Sequence, residues 1–279
     1  MLFNVGDLVT RNSYNNDIVF KIIDMKDNKV ILEGINVRLV ADSSVDDLKK
    51  CDDCIEEVCD DNEVFDRLVD LSKLNRDEYF YLPGKILHID ADKEYLNRCM
   101  KFYKKMDILS YGFVIEEKDV PRKIYSYLSE INPDIVVITG HDAFYNKNSN
   151  KNDPSNYKNS DNFIMAVKEA RRYEKSHDKL VIIAGACQSD YEDLIKAGAN
   201  FASSPKRVNI HALDPAIIAS SISLSDKGKN IDLLEILNKT KYKTEGMGGI
   251  ITCGMMYTGY PRWEWNISKK ILVGWWIKS

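Results

Sequence analysis

His141 closes the run Ile135-Val136-Val137-Ile138-Thr139-Gly140-His141, and Cys187 closes Leu180-Val181-Ile182-Ile183-Ala184-Gly185-Ala186-Cys187, 46 residues later. A thiol attacks as its thiolate, and an imidazole that titrates near neutrality can take the thiol proton and return it to a leaving group. A cysteine beside a histidine is therefore the smallest apparatus of covalent catalysis by sulfur.

The two runs that carry them are short, β-branched and bounded by glycine. That is the pattern of a strand buried on both faces of a parallel sheet. Residues just past the carboxyl ends of such strands line the crevice where open α/β sheets bind ligands. A parallel sheet needs crossovers, and the sequence supplies them from Gly84 onward. The strand Lys85–Ile89, ending in Asp90 and Asp92, precedes a helix through Tyr95, Leu96, Cys99, Met100 and Tyr103. Ile108–Ile115 is the next strand, and Pro121 opens the next helix, where its missing N–H costs little. After the His141 strand come a polar insert at Asn146–Pro154, a helix from about Ser160 to Lys175, the Cys187 strand, and a helix from Asp190 to Ala197 stopped at Gly198. This alternation predicts an α/β fold with a doubly wound sheet. Further on, Asp214–Ser221 and Ile231–Asn238 read as helices and Gly248–Gly254 as a strand, with Trp263, Trp265, Trp275 and Trp276 as packing at a domain edge.

The chain has 279 residues, 44% hydrophobic and 29% charged, with a net charge of −4. This composition suits a globular protein with a real core and gives no electrostatic reason to expect nucleic acid or an anionic membrane as a partner. Met1–Asp7 lacks a secretory pattern, and no apolar run approaches the roughly 20 residues that span a bilayer, so the expected compartment is the cytoplasm. Three segments are expected. Residues 1–45 carry short alternating strands at Phe3–Arg11, Asp17–Asp24, Val30–Gly34 and Val37–Val40, the spacing of a small SH3-like β-barrel. Residues 46–83 form an acidic linker with a helix at Asn62–Leu74, and residues 84–279 form the α/β domain.

Gly140-His141 and Gly185-Ala186-Cys187-Gln188 fill the slots of the caspase-like cysteine proteases, with one departure: Asp142 follows the histidine where those enzymes usually carry glycine. A fuller resemblance, over essentially the whole chain, is to the YabG family of sporulation-specific cysteine proteases of spore-forming Firmicutes. It is carried by Val5-Gly6-Asp7-Leu8-Val9-Thr10-Arg11, Ser13-Tyr14, Asp17-Ile18-Val19-Phe20-Lys21-Ile22, Thr139-Gly140-His141-Asp142 and Gly185-Ala186-Cys187-Gln188-Ser189. The resemblance implies a caspase-like protease domain with His141 and Cys187 as the catalytic pair. It implies trimming of spore coat, cortex and germination proteins in the mother cell, often after Arg, with association to the spore coat left open.

A helix starting near Asp190 would favour the Cys187 thiolate, and backbone N–H groups at Gly140 and Cys187 are candidates for an oxyanion hole. Arg as the residue before the cut requires an acid, because a buried guanidinium must be paired. Asp92 and Asp90 are favoured, with Asp190 and Asp142 as further candidates. The scheme uses no metal and no cofactor. His88 reads as packed in its strand and His177 as lying in a polar loop. His211, beside Asp214, is a secondary candidate base. Cys99 and Cys253 read as small buried hydrophobes. Cys51, Cys54 and Cys59 suit tetrahedral zinc ligation only in part, because a second ligand pair is missing. Lys206-Arg207 and Arg171-Arg172 are candidate sites of self-cleavage. Two alternatives stand beside the protease: a non-catalytic flavodoxin-like or receiver-like domain binding Mg²⁺ at Asp90 and Asp92, and a cysteine amidase, in which the order of Cys and His is reversed. Substrate identities and oligomeric state are not legible.

Overall fold

The structure is a computed structural model that describes residues 3–51, 77–145 and 156–262, with the backbone of Ile277–Lys278. The chain divides into two compact units, Met1–Asp66 and Arg67–Ser279.

Among the described residues the first unit holds an antiparallel sheet of five strands: β1 (Leu8–Arg11), β2 (Phe20–Lys26), β3 (Lys29–Gly34), β4 (Val40–Ser44) and β5 (Leu48–Lys50). Their order is β4-β3-β2-β1-β5. Alternation drives it: Val9, Phe20, Ile22, Val30 and Leu32 point to one buried face. A tight turn with Asp27 in the left-handed region joins β2 to β3. The fourth strand begins at Val40, where the Val37–Val40 run was expected to end, and β5 lies in the stretch expected to be linker.

The second unit is mixed α/β. Its main sheet holds β7 (Ile86–Asp90), β8 (Ser110–Val114), β9 (Ile135–Thr139), β10 (Val181–Ala184), β11 (Phe201–Ser203), β12 (Met247–Gly249) and β14 (Ile277–Lys278). A separate two-stranded sheet pairs β6 (Phe80–Leu82) with β13 (Tyr257–Gly259). The main sheet runs β12-β11-β10-β9-β7-β8-β14, parallel except for β12. Every residue of β7, β9 and β10 is buried.

Helices cover both faces of this sheet. Helices α2 (Val120–Ile131), α3 (Ser160–Tyr173) and α4 (Tyr191–Ala197) pack together on one face. There Leu87, Ile89, Val136, Ile138, Ile182 and Ala184 meet Ile124, Leu128, Phe163, Val167 and Leu194. The other face takes α1 (Lys93–Lys105) and α5 (Asp214–Ser223). Helix α5 is buried along its whole length, as its lack of a polar face requires. Two short helices, α6 (Leu233–Asn238) and α7 (Lys243–Gly246), lead into β12.

The expected central strands and helices appear within a residue or two of their sequence-read bounds. Strands β6, β11 and β13 were not expected, and the strand read over Gly248–Gly254 is shortened to β12. The expected helix at Asn62–Leu74, the insert at Asn146–Pro154, the four tryptophans, Cys54 and Cys59 all lie outside the described residues. Cys51 is disulfide-bonded and so offers no thiolate to a metal. Cys99 is buried as expected, but Cys253 is partly exposed, with its sulfur 3.4 Å from Asn230 Oδ1.

Candidate active site

In the main sheet β9 has β7 on one side and β10 on the other, and the strand order reverses between β9 and β7. Parallel pairing aligns Ile138 with Ala184. His141 and Cys187 each stand three residues beyond their member of that pair, so they leave adjacent strands at the same level. An open α/β sheet forms its crevice at the carboxyl edge beside such a reversal, and β9, which leads to His141, is one of the two strands that flank it.

His141 is held from three directions. Its backbone N–H donates to Glu117 Oε1 at 2.8 Å. Gly140 permits this approach, because a Cβ there would stand 2.7 Å from the same oxygen. Its carbonyl accepts from Asn159 Nδ2 at 2.8 Å. Its ring Nε2 lies 3.2 Å from Asp92 Oδ2. Nδ1 is buried and has no hydrogen-bond partner among the described residues. A proton on Nε2, donated to Asp92, leaves Nδ1 as the free base. The Tyr95 ring packs 5.8 Å from the imidazole, centroid to centroid.

Cys187 is fully buried. Gly185, at φ +104°, turns the chain sharply out of β10, and Gln188 adopts φ +59°, a conformation uncommon for a residue with a Cβ. The sulfur accepts the backbone N–H of Ile210 at 3.2 Å and lies 3.8 Å from the Ile210 carbonyl. The expected support from a helix end takes a different form. Helix α4 begins at Tyr191 and its N-terminus is capped by Asp190, which accepts the Asp193 N–H, so the sulfur's amide donor comes instead from the 204–210 loop. Neither spacing nor periodicity marks Ile210 in the sequence.

The four expected substrate acids are all engaged. Asp90 is fully buried, accepts from Thr139 Oγ1 at 2.7 Å and from the Asp92 N–H at 2.9 Å, and lies 3.6 Å from His88 Nε2. Asp92 caps α1 with Oδ1, accepting from the Glu94 and Tyr95 N–H groups, and keeps Oδ2 against His141; at 10% side-chain exposure it is the least buried of the four. Asp190 lies 3.4 Å from Arg207, and burial pushes its carboxyl up. Asp142 accepts from the Ala143 and Asn159 N–H groups and from the Ser160 and Ser189 hydroxyls, so its acceptor positions are filled by the chain itself.

The remaining histidines have structural partners. His88 lies between Tyr103 Oη at 2.8 Å and Thr139 Oγ1 at 3.0 Å. His177 contacts Arg171, and His211 Nδ1 accepts the Leu213 N–H at 3.2 Å. The second of these is spent on a local turn, which removes that nitrogen of His211 from the secondary role considered above.

The second unit is thus a mixed α/β fold in which His141 and Cys187 follow the carboxyl ends of neighbouring buried strands. Comparison with known proteins makes the class specific. Residues 4–261 match the family described as YabG peptidase U57. The sporulation-specific protease YabG of Bacillus subtilis (strain 168) is 41% identical over 94% of this chain and 99% of its own length. No solved structure matches. The chain belongs to the YabG peptidase family.

Proposed function

We propose that this chain is a cysteine endopeptidase that cuts proteins of the developing spore through a Cys187–His141 pair. The observation that supports the reading is the register of β9 and β10, in which Ile138 pairs with Ala184, three residues before His141 and Cys187 respectively. His141 Nδ1 takes the thiol proton, and the Cys187 thiolate attacks the scissile carbonyl. Backbone N–H groups at Gly140 and Cys187 face the developing oxyanion. The protonated imidazole then gives its proton to the leaving amine, and water hydrolyses the thioester.

Cleavage after Arg is part of the proposal, with Asp92 as its acid. Asp92 alone of the four candidates faces the imidazole and keeps some exposure. Its charge beside the imidazole is what would attract a substrate guanidinium to this side of the site. The substrates are coat, cortex and germination proteins, and the setting is the mother cell. The strand order of the second unit fits a caspase-like sheet. The first unit's meander, with β5 beside β1, fits an SH3-like barrel that docks substrates or coat partners. Family membership removes the support for a non-catalytic receiver-like domain and for an amidase.

The test is cleavage of an Arg-containing peptide library by wild type, Cys187→Ala, His141→Ala and Asp92→Asn. The first two variants should lose at least about a thousandfold while remaining folded, as removal of a nucleophile or its base does. Asp92→Asn should lose the preference for Arg. A folded Cys187→Ala variant that cuts like wild type would sink the assignment.

A further inference from the structure

We propose that Asp142 is a positioning residue that locks the loop carrying the histidine to the loop carrying the cysteine. The inference rests on the reading of His141 and Cys187 as the reacting pair, and it assigns Asp142 a role different from that of a substrate acid.

Asp142 directly follows His141 and Ser189 comes two residues after Cys187. Asp142 Oδ2 accepts from Ser189 Oγ at 2.8 Å and from Ser160 Oγ at 2.5 Å. Oδ1 accepts from the Ala143 N–H at 2.9 Å and the Asn159 N–H at 2.8 Å. The same Ser189 hydroxyl accepts the Ala186 N–H at 2.9 Å. A continuous path therefore runs from His141 through Asp142 and Ser189 to Ala186, the residue before Cys187. The hydroxyl of Ser189 bridges the turn that holds the sulfur, and the carboxylate anchors that bridge beside the imidazole. Ser160 extends the lock to the next helix: its Oγ also accepts the Asp190 N–H at 2.8 Å, at the start of α4.

A second tie runs parallel to the first, from the Phe144 N–H to Gln188 Oε1 at 3.3 Å. Both ties join the same two loops, and the carboxylate tie is the buried one, with Asp142 3% exposed. Four donors fill the four acceptor sites of a carboxylate, so none remains for a substrate guanidinium. Small errors in the placement of a nucleophile and its base cost rate far more than binding, which is what a lock between their loops prevents. A glycine after the histidine could make no such tie. The departure of this sequence from the caspase-like pattern at position 142 thus acquires a purpose.

The experiment is steady-state cleavage of an Arg-containing peptide by the full chain. It compares wild type, Asp142→Asn, Ser189→Ala and the double variant, with Cys187→Ala as reference and thermal unfolding recorded for each. Asp142→Asn should lower kcat by about tenfold or more with KM within about twofold, the pattern of lost transition-state geometry. The limbs of its pH–rate profile should shift, because they report the coupled titration of the reacting groups. Ser189→Ala should act in the same sense, and the double variant should be no slower than Asp142→Asn alone, since the two share one interaction.

A folded Asp142→Asn with wild-type kcat and pH profile overturns the proposal. So does a large rise in KM with kcat intact, which would make Asp142 a substrate acid after all. If Asp142→Asn does not fold, Ser189→Ala decides the matter by the same two readings. A Cys187→Ala variant that cuts like wild type overturns the reacting pair first and this inference with it. An inert Cys187→Ala beside an unaffected Asp142→Asn overturns this inference alone.

Discussion

Asp142 pays for its burial in proton affinity. Desolvation raises its carboxyl above the ordinary 3.8, and the Ser160, Asn159, Ser189 and Ala143 donors only partly offset this. The native state thus keeps this proton at pH values where the unfolded chain has released it. By linkage, the contribution of Asp142 to stability is most favourable below 3.8 and is lost as pH rises through the raised native value. The stability of wild type relative to Asp142→Asn should therefore fall as pH rises above the ordinary 3.8, measured as denaturant midpoints. A difference that is flat or rises with pH would contradict this. At the residue scale His141 and Cys187 stand out in the sequence as candidates, because each ends an apolar run. The sequence did not announce the tie between Asp142 and Ser189, residues 47 apart whose meeting depends on the pairing of two strands. Asp142 stood out in the sequence only by its departure from a pattern, and the role first considered for it was another.

The turn from β10 into α4 shows how an element aims a side chain. Gly185 occupies φ +104°, and a Cβ there would stand 2.9 Å from Leu194 Cδ1 and 3.3 Å from both Ser189 and Ser203 Cβ. Gly185→Ala should cost about 1–3 kcal/mol of stability from the backbone conformation and the crowding. It should also slow cleavage by moving Cys187, which comes two residues later. Chemical denaturation beside kcat checks both, and an unchanged midpoint would show that the turn relaxes freely. The central elements were legible for a physical reason. Runs such as Ile135–Thr139 and Val181–Ala184 are buried on both faces and need no alternation to be recognised. Strands β6, β11, β12 and β13 are three residues each, too short to show a period, and only their partners make them strands. The helix caps were half visible: Gly198 was read correctly as the stop of α4, whereas Asp92, read as a substrate acid, also proves to be the cap of α1.

Over the whole molecule, a net charge of −4 favours the approach of basic segments and is screened by salt. For an Arg-containing peptide, kcat/KM should fall as ionic strength rises from about 0.01 M to about 0.3 M, while alkylation of Cys187 by a neutral reagent should not. Equal salt sensitivity of the two would show that charge does not guide the peptide. The short alternating strands near the start of the chain and the strand–helix alternation from Gly84 onward were readable from the change of hydrophobic period. The extent of the first unit was not, because β5 is short and polar.

The long-range pairing of the main sheet also bears on the synthesis of the chain. Thr139 meets Asp90 across 49 residues, and Ser189 meets Asp142 across 47. At about 5–20 residues per second, a ribosome makes the second loop several seconds after the first. Closures of this length form late in folding, after local helices. A growing chain therefore exposes its histidine loop with no thiol loop beside it. Under the proposed chemistry, cutting begins only once the Cys187 loop has been made and its strand has paired with β9.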